Sequence, residues 1–288
     1  MPSINFFQEI DDVMEDSARR LLGMEVLESE RFKKIYASAM KSLNLQISTM
    51  SGEGTMDEAR LRLLRAQLEA AFKGIEKRNL KEMREAARMM LRQASEDAEV
   101  EVNQFEKYFL GVHQRIPWRA IKISLKKNTF LINNFASSLE SYDASVRAQM
   151  EKSLSESLIK RNSYRQAKLD LQLQLGQIQE WKLGRIVRTE LHNLYGMSKT
   201  MALGETKDAY LPDLKKALFH PMDSRTGDDS KKADDMNLVA EIDEPFRYTW
   251  KGEERVFMTS DRPQDRAIII PYRARWAKAE PQGEAAFF

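Results

Sequence analysis

The stretch EWKLGRIVRTELHNLYGMSKTMALG, residues 180–204, decides the fold of this 288-residue chain. Its apolar side chains recur at steps of three and four residues, which is the spacing of one face of an α-helix. That face carries Leu183, Val187, Leu194, Met197 and Met201. The pattern predicts a long helix that opens at a capping box of Ser163 and Gln166 and runs to Leu203, with Gly204 as its stop signal. Gly176 is a residue at which this helix could be interrupted.

Glu190 falls on the same apolar stripe, and an unpaired carboxylate buried there would cost several kcal/mol, in order of magnitude. Arg188 is a poor partner because residues two apart on a helix do not face each other. We expect an arginine from the C-terminal part, Arg225 first, with Arg273 or Arg275 as alternatives. Catalysis by Glu190 would need a second titratable group and a cleft, and no convincing second group stands out.

The opposite face of the predicted helix carries Arg185, Arg188 and His192, with Thr189 close to them. The two arginines are therefore candidate contacts for a partner protein or for phosphate. An upstream helical stretch adds three further candidates, Lys122, Lys126 and Lys127. The alternative is that such a charge set is simply a solvated face. His192, alone on a polar face, predicts no ligand role.

Upstream of this stretch the sequence is almost wholly helical from Ser3 onward. A second helix is predicted at about 28–49, after Gly23, and another after the capping-box residues Thr55 and Glu58. Two consecutive segments carry apolar stripes typical of helices packed as a hairpin or coiled coil. The stripes consist of Leu61, Leu64, Leu68, Phe72 and Ile75, then Leu80, Met83, Ala87, Leu91, Ala94, Ala98 and Val102. They form either a bundle core or an exposed seam for a partner.

After Gly204 the sequence changes to polar turns and short apolar runs that favour strands at 237–243, 247–258 and 267–276. Lys251 and Gly252 suit a hairpin turn. The predicted class is α+β and predominantly α, with long N-terminal helices and a small C-terminal module of short antiparallel strands. The predicted division is a helical region 1–116, a second helical part 117–204, a β-rich module 205–276 and a tail 277–288.

Composition excludes several kinds of protein. Lys plus Arg is 46 and Asp plus Glu is 44, so the chain lacks the basic excess of a DNA-coating protein, although a local basic face remains open. There is no cysteine, which removes disulfides and cysteine-based zinc sites. The histidines are far apart in sequence, and no apolar run approaches the roughly 18 residues of a membrane span. We therefore predict no metal, no cofactor and no membrane partner.

Three segments in order resemble the phage Mu F-like head morphogenesis proteins, also called minor head or minor capsid proteins. The first is the helix motif Arg185, Ile186, Arg188, Thr189 and Glu190. The second is the D-x-R-T element of LFHPMDSRTGDD, with Asp223, Arg225 and Thr226. The third is VAEIDEPF, which ends on Phe246. The match covers roughly residues 120–276, and residues 1–115 have no specific counterpart.

The resemblance implies a non-enzymatic virion protein that associates with the portal inside the capsid and assists head assembly, DNA packaging or genome delivery. It would be made in the host cytoplasm, and the major capsid or scaffold protein and packaged DNA are further implied partners. One alternative is an internal nucleic-acid-binding protein ejected with the genome. Another is an enzyme that uses Glu190 or the aspartates of GDDSKKADD, residues 227–235, which could bind Mg²⁺ or Ca²⁺.

The chain departs from the family at its closing strand. Many relatives finish on a Cys-Arg-Cys strand that suggests a metal site, whereas this chain reads YRARW at 272–276. No metal is therefore carried over. We expect Arg–carboxylate pairs and apolar packing to hold the C-terminal module instead, with the apolar part supplied by Phe246, Trp250, Ile269 and Trp276.

Overall fold

The structure is a computed structural model that describes residues 6–50, 54–112, 129–176, 180–221, 228–259 and 267–278. It is 74% helical, with long N-terminal helices and a small C-terminal module of short antiparallel strands, which confirms the predicted fold class. None of the helices in these ranges combines the length and the apolar character that crossing a membrane requires.

Seven helices and five strands are present in the described ranges. The helices are α1 (Phe6–Glu9), α2 (Asp11–Thr49), α3 (Glu58–Leu110), α4 (Thr129–Ile159), α5 (Tyr164–Gly176), α6 (Glu180–Ala209) and α7 (Asp228–Asp235). The strands are β1 (Lys215–Phe219), β2 (Val239–Ala240), β3 (Phe246–Trp250), β4 (Glu253–Phe257) and β5 (Ile268–Tyr272).

The strands form two small antiparallel sheets. One has the order β2-β1-β5, with Ala217 opposite both Val239 and Ile270. The other is the predicted hairpin of β3 and β4, whose turn residues Lys251 and Gly252 have φ values of 50° and 82°. Positive φ at both central residues is the mark of a two-residue turn that matches the twist of the strands. The apolar runs at 237–276 do not include β1, whose first two residues are lysines, and only the family resemblance, which has an apolar-led strand into D-x-R-T at LFHPMD, indicates a strand there.

The helices are longer and fewer than the sequence pattern indicated. Gly23 lies inside α2, which runs without interruption through the segment predicted to separate two helices. The two predicted apolar stripes lie on the single 53-residue helix α3. Gly74 interrupts neither stripe, since an isolated glycine costs a helix only about 1 kcal/mol. All twelve predicted stripe residues are buried except Leu80, which is 43% exposed.

The helix ends follow local hydrogen bonding. The side chain of Asp57, rather than that of Thr55, caps α3 by accepting from the Arg60 amide at 2.8 Å. The predicted cap of α5 is confirmed, because the Ser163 hydroxyl accepts from the Gln166 amide at 3.1 Å. Gly204 does not stop α6, which continues to Ala209.

The chain forms two compact units built from interleaved segments. Unit 1 contains Met1–Glu25, Ala86–Leu131 and Thr189–Phe288, and unit 2 contains Val26–Glu85 and Ile132–Arg188. Helices α2, α3 and α6 each contribute residues to both units. The division of the chain at residues 116, 204 and 276, made from the sequence, stays a prediction.

Each unit has its own aromatic core. In unit 1 the rings of Phe6, Phe105 and Trp276 lie 5.5 to 6.2 Å apart, measured between centroids. In unit 2 the ring of Phe32 lies 5.6 Å from that of Phe135, and Phe72 is also buried. Phe246, Ile269 and Trp276 are buried as predicted for the C-terminal module, whereas Trp250 is only half-buried.

Candidate functional site

Residues 191–203 of helix α6 are buried on nearly all sides within unit 1. Its buried residues include both apolar and polar side chains, namely Leu191, His192, Leu194, Tyr195, Ser198, Lys199, Thr200, Ala202 and Leu203. Because buried polar groups need hydrogen-bond partners, these side chains show what the helix is built to contact.

The most buried of these contacts is an ion pair between α6 and α3. The Lys199 ammonium donates to Glu101 Oε1 at 2.6 Å, and the two side chains are 0% and 2% exposed. Burial raises the pKa of Glu101 to about 7, and the charge of Lys199 acts in the opposite direction. Oε2 of Glu101 accepts no hydrogen bond from the described part of the chain. The pair is therefore tightly held but incompletely satisfied.

A second contact lies one helical turn earlier on both helices. The hydroxyl of Tyr195 donates to Asp97 Oδ2 at 2.6 Å, and burial raises the pKa of Tyr195 well above its ordinary value. Tyr195–Asp97 and Lys199–Glu101 are called the buried rungs below. Since both partners advance by four residues between the rungs, α3 and α6 run in the same direction here. The rungs fix the register of α6 on α3.

His192 is a third buried contact of α6. Its Nδ1 lies 2.9 Å from Glu25 Oε1, and its Nε2 lies 2.7 Å from the carbonyl oxygen of Ala267. A carbonyl oxygen can only accept, so Nε2 carries a hydrogen. The expected position of His192 on an exposed face is therefore wrong. The prediction failed because a polar residue was taken to be exposed, whereas here its polar partners are buried with it.

Arg273 ties the closing strand to α3. Its guanidinium contacts Glu106, and its Nε donates to Asp213 Oδ1 at 2.9 Å. The indole nitrogen of Trp276 also donates to Glu106, at 3.0 Å. An Arg–carboxylate network thus holds the C-terminal module, as expected. The carboxylates that Arg273 contacts are those of Glu106 and Asp213.

The motif residues around the boundary of the two units have mixed environments. Glu190 is half-buried and lies on the helix between the buried Val187 and Leu194, as the stripe predicts. Thr189 is also half-buried, and its hydroxyl has no partner in the described ranges. Asp223, Arg225 and Thr226 lie outside the described residues. The predicted ion pair between Glu190 and Arg225 therefore stays a prediction.

The candidate phosphate contacts are only partly described. Arg185 is exposed, and its guanidinium carbon lies 5.7 Å from the ring centroid of Trp181. Arg188 is half-buried and donates from Nε to the Gly184 carbonyl at 3.2 Å. Lys122, Lys126 and Lys127 lie outside the described residues.

The ring of Phe246 contacts the buried ammonium of Lys216, which the sequence analysis did not single out. The ammonium of Lys216 on β1 is 5.0 Å from the centroid of the Phe246 ring and 3.4 Å from the carbonyl oxygen of Met258. Burial lowers the pKa of Lys216 to about 8, and Asp243 and Glu244 act in the opposite direction. A lysine is ordinarily assigned to solvent, so the burial of Lys216 gave no signal in the sequence.

The acidic stretch considered as a Mg²⁺ or Ca²⁺ site is not a loop. Residues Asp228–Asp235 form α7. No group of three or more metal-ligating side chains occurs among the residues that the structure describes.

The comparisons with known proteins found nothing similar to this chain. No protein-family model matches it, and neither a curated protein nor a solved structure is significantly similar to it. Functional inference therefore rests on the residues of the chain itself.

Removing one partner of the buried ion pair should be strongly destabilising. Lys199→Met leaves the Glu101 carboxyl buried without its cation, so we expect a loss of about 3–5 kcal/mol in the free energy of unfolding. Replacing both residues, by Lys199→Met with Glu101→Leu, should recover most of that loss. Urea denaturation measures both effects.

The matched control is Lys73→Met. It breaks an exposed ion pair within α3, in which Nζ of Lys73 lies 2.9 Å from Oε1 of Glu69. Exposed pairs contribute about 0–1 kcal/mol. A Lys199→Met variant no less stable than Lys73→Met would show that the buried pair does not hold α6 in place.

Lys216 should make stability depend on pH. Its folded pKa of about 8 lies below the ordinary 10.5, so between these values the unfolded chain binds a proton that the folded chain does not. The wild type should therefore lose stability as the pH falls from 10.5 to about 8, and Lys216→Met should not lose this contribution. The stability of Lys216→Met relative to the wild type should therefore fall, by on the order of 2–3 kcal/mol, as the pH rises from about 8 to 10.5. A difference that is constant across this range would contradict the prediction.

Proposed function

We propose that this chain is a minor head protein of a tailed bacteriophage. In this proposal it associates with the portal inside the capsid and assists head assembly, DNA packaging or genome delivery. Three sequence segments support the proposal, namely the helix motif at 185–190, the D-x-R-T element at 223–226 and VAEIDEPF at 239–246.

The observation that carries the proposal is that the polar side chains of α6 are used for contacts inside unit 1. Between residues 191 and 203 most side chains of α6 are buried, and the helix is joined to its neighbours through the rungs, His192 and the apolar core. Its polar side chains therefore serve to hold a rigid helical body together. Such a use of polar residues suits a protein that acts by binding partners.

The outer surface of unit 2 also supports a binding role. The short helix α5 buries Ala167, Leu171 and Leu175 on one side. On another side it exposes Leu169 and Leu173, one turn apart, at 44% and 63%. A helix that is apolar on two faces can pack on its own unit and still present a surface to a partner.

Association with the portal is directly testable. The full chain carrying an affinity tag, expressed during infection, should co-purify with the portal protein and should be present in mature heads. The Leu169→Ser/Leu173→Ser variant should fold, because both side chains are exposed. The amount of portal protein that co-purifies with it shows whether these two leucines contribute to portal binding. If the chain is in neither the portal fraction nor mature heads, and phage lacking it assemble normally, the proposal is wrong.

A further inference from the structure

The parts of α2 and α6 that belong to unit 2 carry four cations and one exposed indole. The residues are Lys33 and Lys34 on α2 and Trp181, Arg185 and Arg188 on α6, and they are called the α2–α6 basic patch below. The two helices approach closely at Gly184, where a Cβ atom would lie only 2.8 Å from Cε of Lys33. Glycine at this position thus leaves room for the lysine side chain of α2 against α6.

The cations of the patch are poorly neutralised. Lys33 donates to Glu30 at 2.7 Å, and this hydrogen bond lowers the pKa of Glu30, with the charges of Lys34 and Arg188 adding to the effect. Lys34, Arg185 and Arg188 form no ion pair with any residue that the structure describes. Three cations of the patch, those of Lys33, Lys34 and Arg188, thus act on the carboxylate of Glu30. The whole chain has a net charge of only +2, so the excess is a local property.

Trp181 positions one of these cations. Its side chain is 61% exposed, and the guanidinium of Arg185, one helical turn later, lies over its ring. A cation held over an indole keeps an extended position and loses less freedom when it binds an anion. The planar guanidinium can then donate two parallel hydrogen bonds to the oxygens of a phosphate.

We propose that the α2–α6 basic patch binds the phosphate backbone of duplex DNA without reading its sequence. Closely placed lysine and arginine side chains are the usual source of such binding. Sites for single strands use free aromatic platforms on which bases stack, whereas Trp181 is already engaged by Arg185. The choice of DNA as the polyanion rests on the proposed function, since packaged DNA is what a head protein would meet.

The test is the salt dependence of binding by the full chain to a short duplex of mixed sequence. Four phosphate contacts should lower the binding constant roughly a hundredfold between about 50 and about 200 mM salt. The Lys34→Ala/Arg185→Ala variant retains two contacts, so its loss over the same range should be roughly tenfold. Its binding at low salt should also be weaker than that of the wild type.

Two further variants separate the proposed causes. Trp181→Ala keeps every charge, so it should weaken binding a few-fold without changing the salt dependence. The control Lys73→Ala/Lys81→Ala removes two exposed lysines of α3 that pair with Glu69 and Glu85, and it should bind as the wild type does. Circular dichroism should show that all three variants are folded, because the altered side chains are exposed.

The inference is overturned if the wild type does not bind, if the patch variant and the control are equally affected, or if the single strand binds more tightly than the duplex. These outcomes are distinguishable from failure of the proposed function. A chain that co-purifies with the portal but does not bind DNA keeps the function and loses the patch. A chain that binds DNA through the patch but is absent from heads keeps the patch and loses the proposed function.

Discussion

The ion pair between Lys199 and Glu101 is the constraint on which unit 1 depends. Two charges are held out of water at 2.6 Å, and neither can be left alone without a large cost in free energy. The pair therefore allows only one alignment of α6 on α3, and the Tyr195–Asp97 rung one turn away repeats that alignment. Further along α3, Glu106 receives Arg273, so the same helix also fixes the closing strand. We infer that these contacts contribute more to selecting one register than to net stability.

The repeating apolar patterns were predictable from the sequence, and the paired polar groups were not. The stripes of α3 and the hairpin of β3 and β4 follow from local spacing and turn chemistry alone. His192 was predicted to lie on an exposed face, and nothing in the sequence singled out Lys199, because periodicity assigns a polar residue to solvent when its partner is far away in sequence. Glu101 is 98 residues from Lys199, and Glu25 is 167 residues from His192. Only the tertiary structure brings these partners together.

The helix motif now has two different surroundings. Arg188 is the last residue of its segment in unit 2, and Thr189 is the first of the next segment of unit 1. Before this point α6 exposes Trp181 and Arg185, and from residue 191 to residue 203 most of its side chains are buried and the rungs join it to its neighbours. One continuous helix thus combines a surface suited to a partner with a segment that holds the fold. The pairing of Glu190 with Arg225 remains a prediction, because Arg225 lies outside the described residues.

The central claim is that residues 191–203 of α6 form part of the stable core of unit 1 and not a mobile functional element. Native-state hydrogen exchange of the backbone amides in this segment tests it directly, because core elements exchange only when the whole unit unfolds. The free energy of opening should equal the free energy of unfolding measured with urea, and both should fall together in Lys199→Met. Exchange through a local opening of much lower free energy, unchanged by Lys199→Met, would contradict the claim.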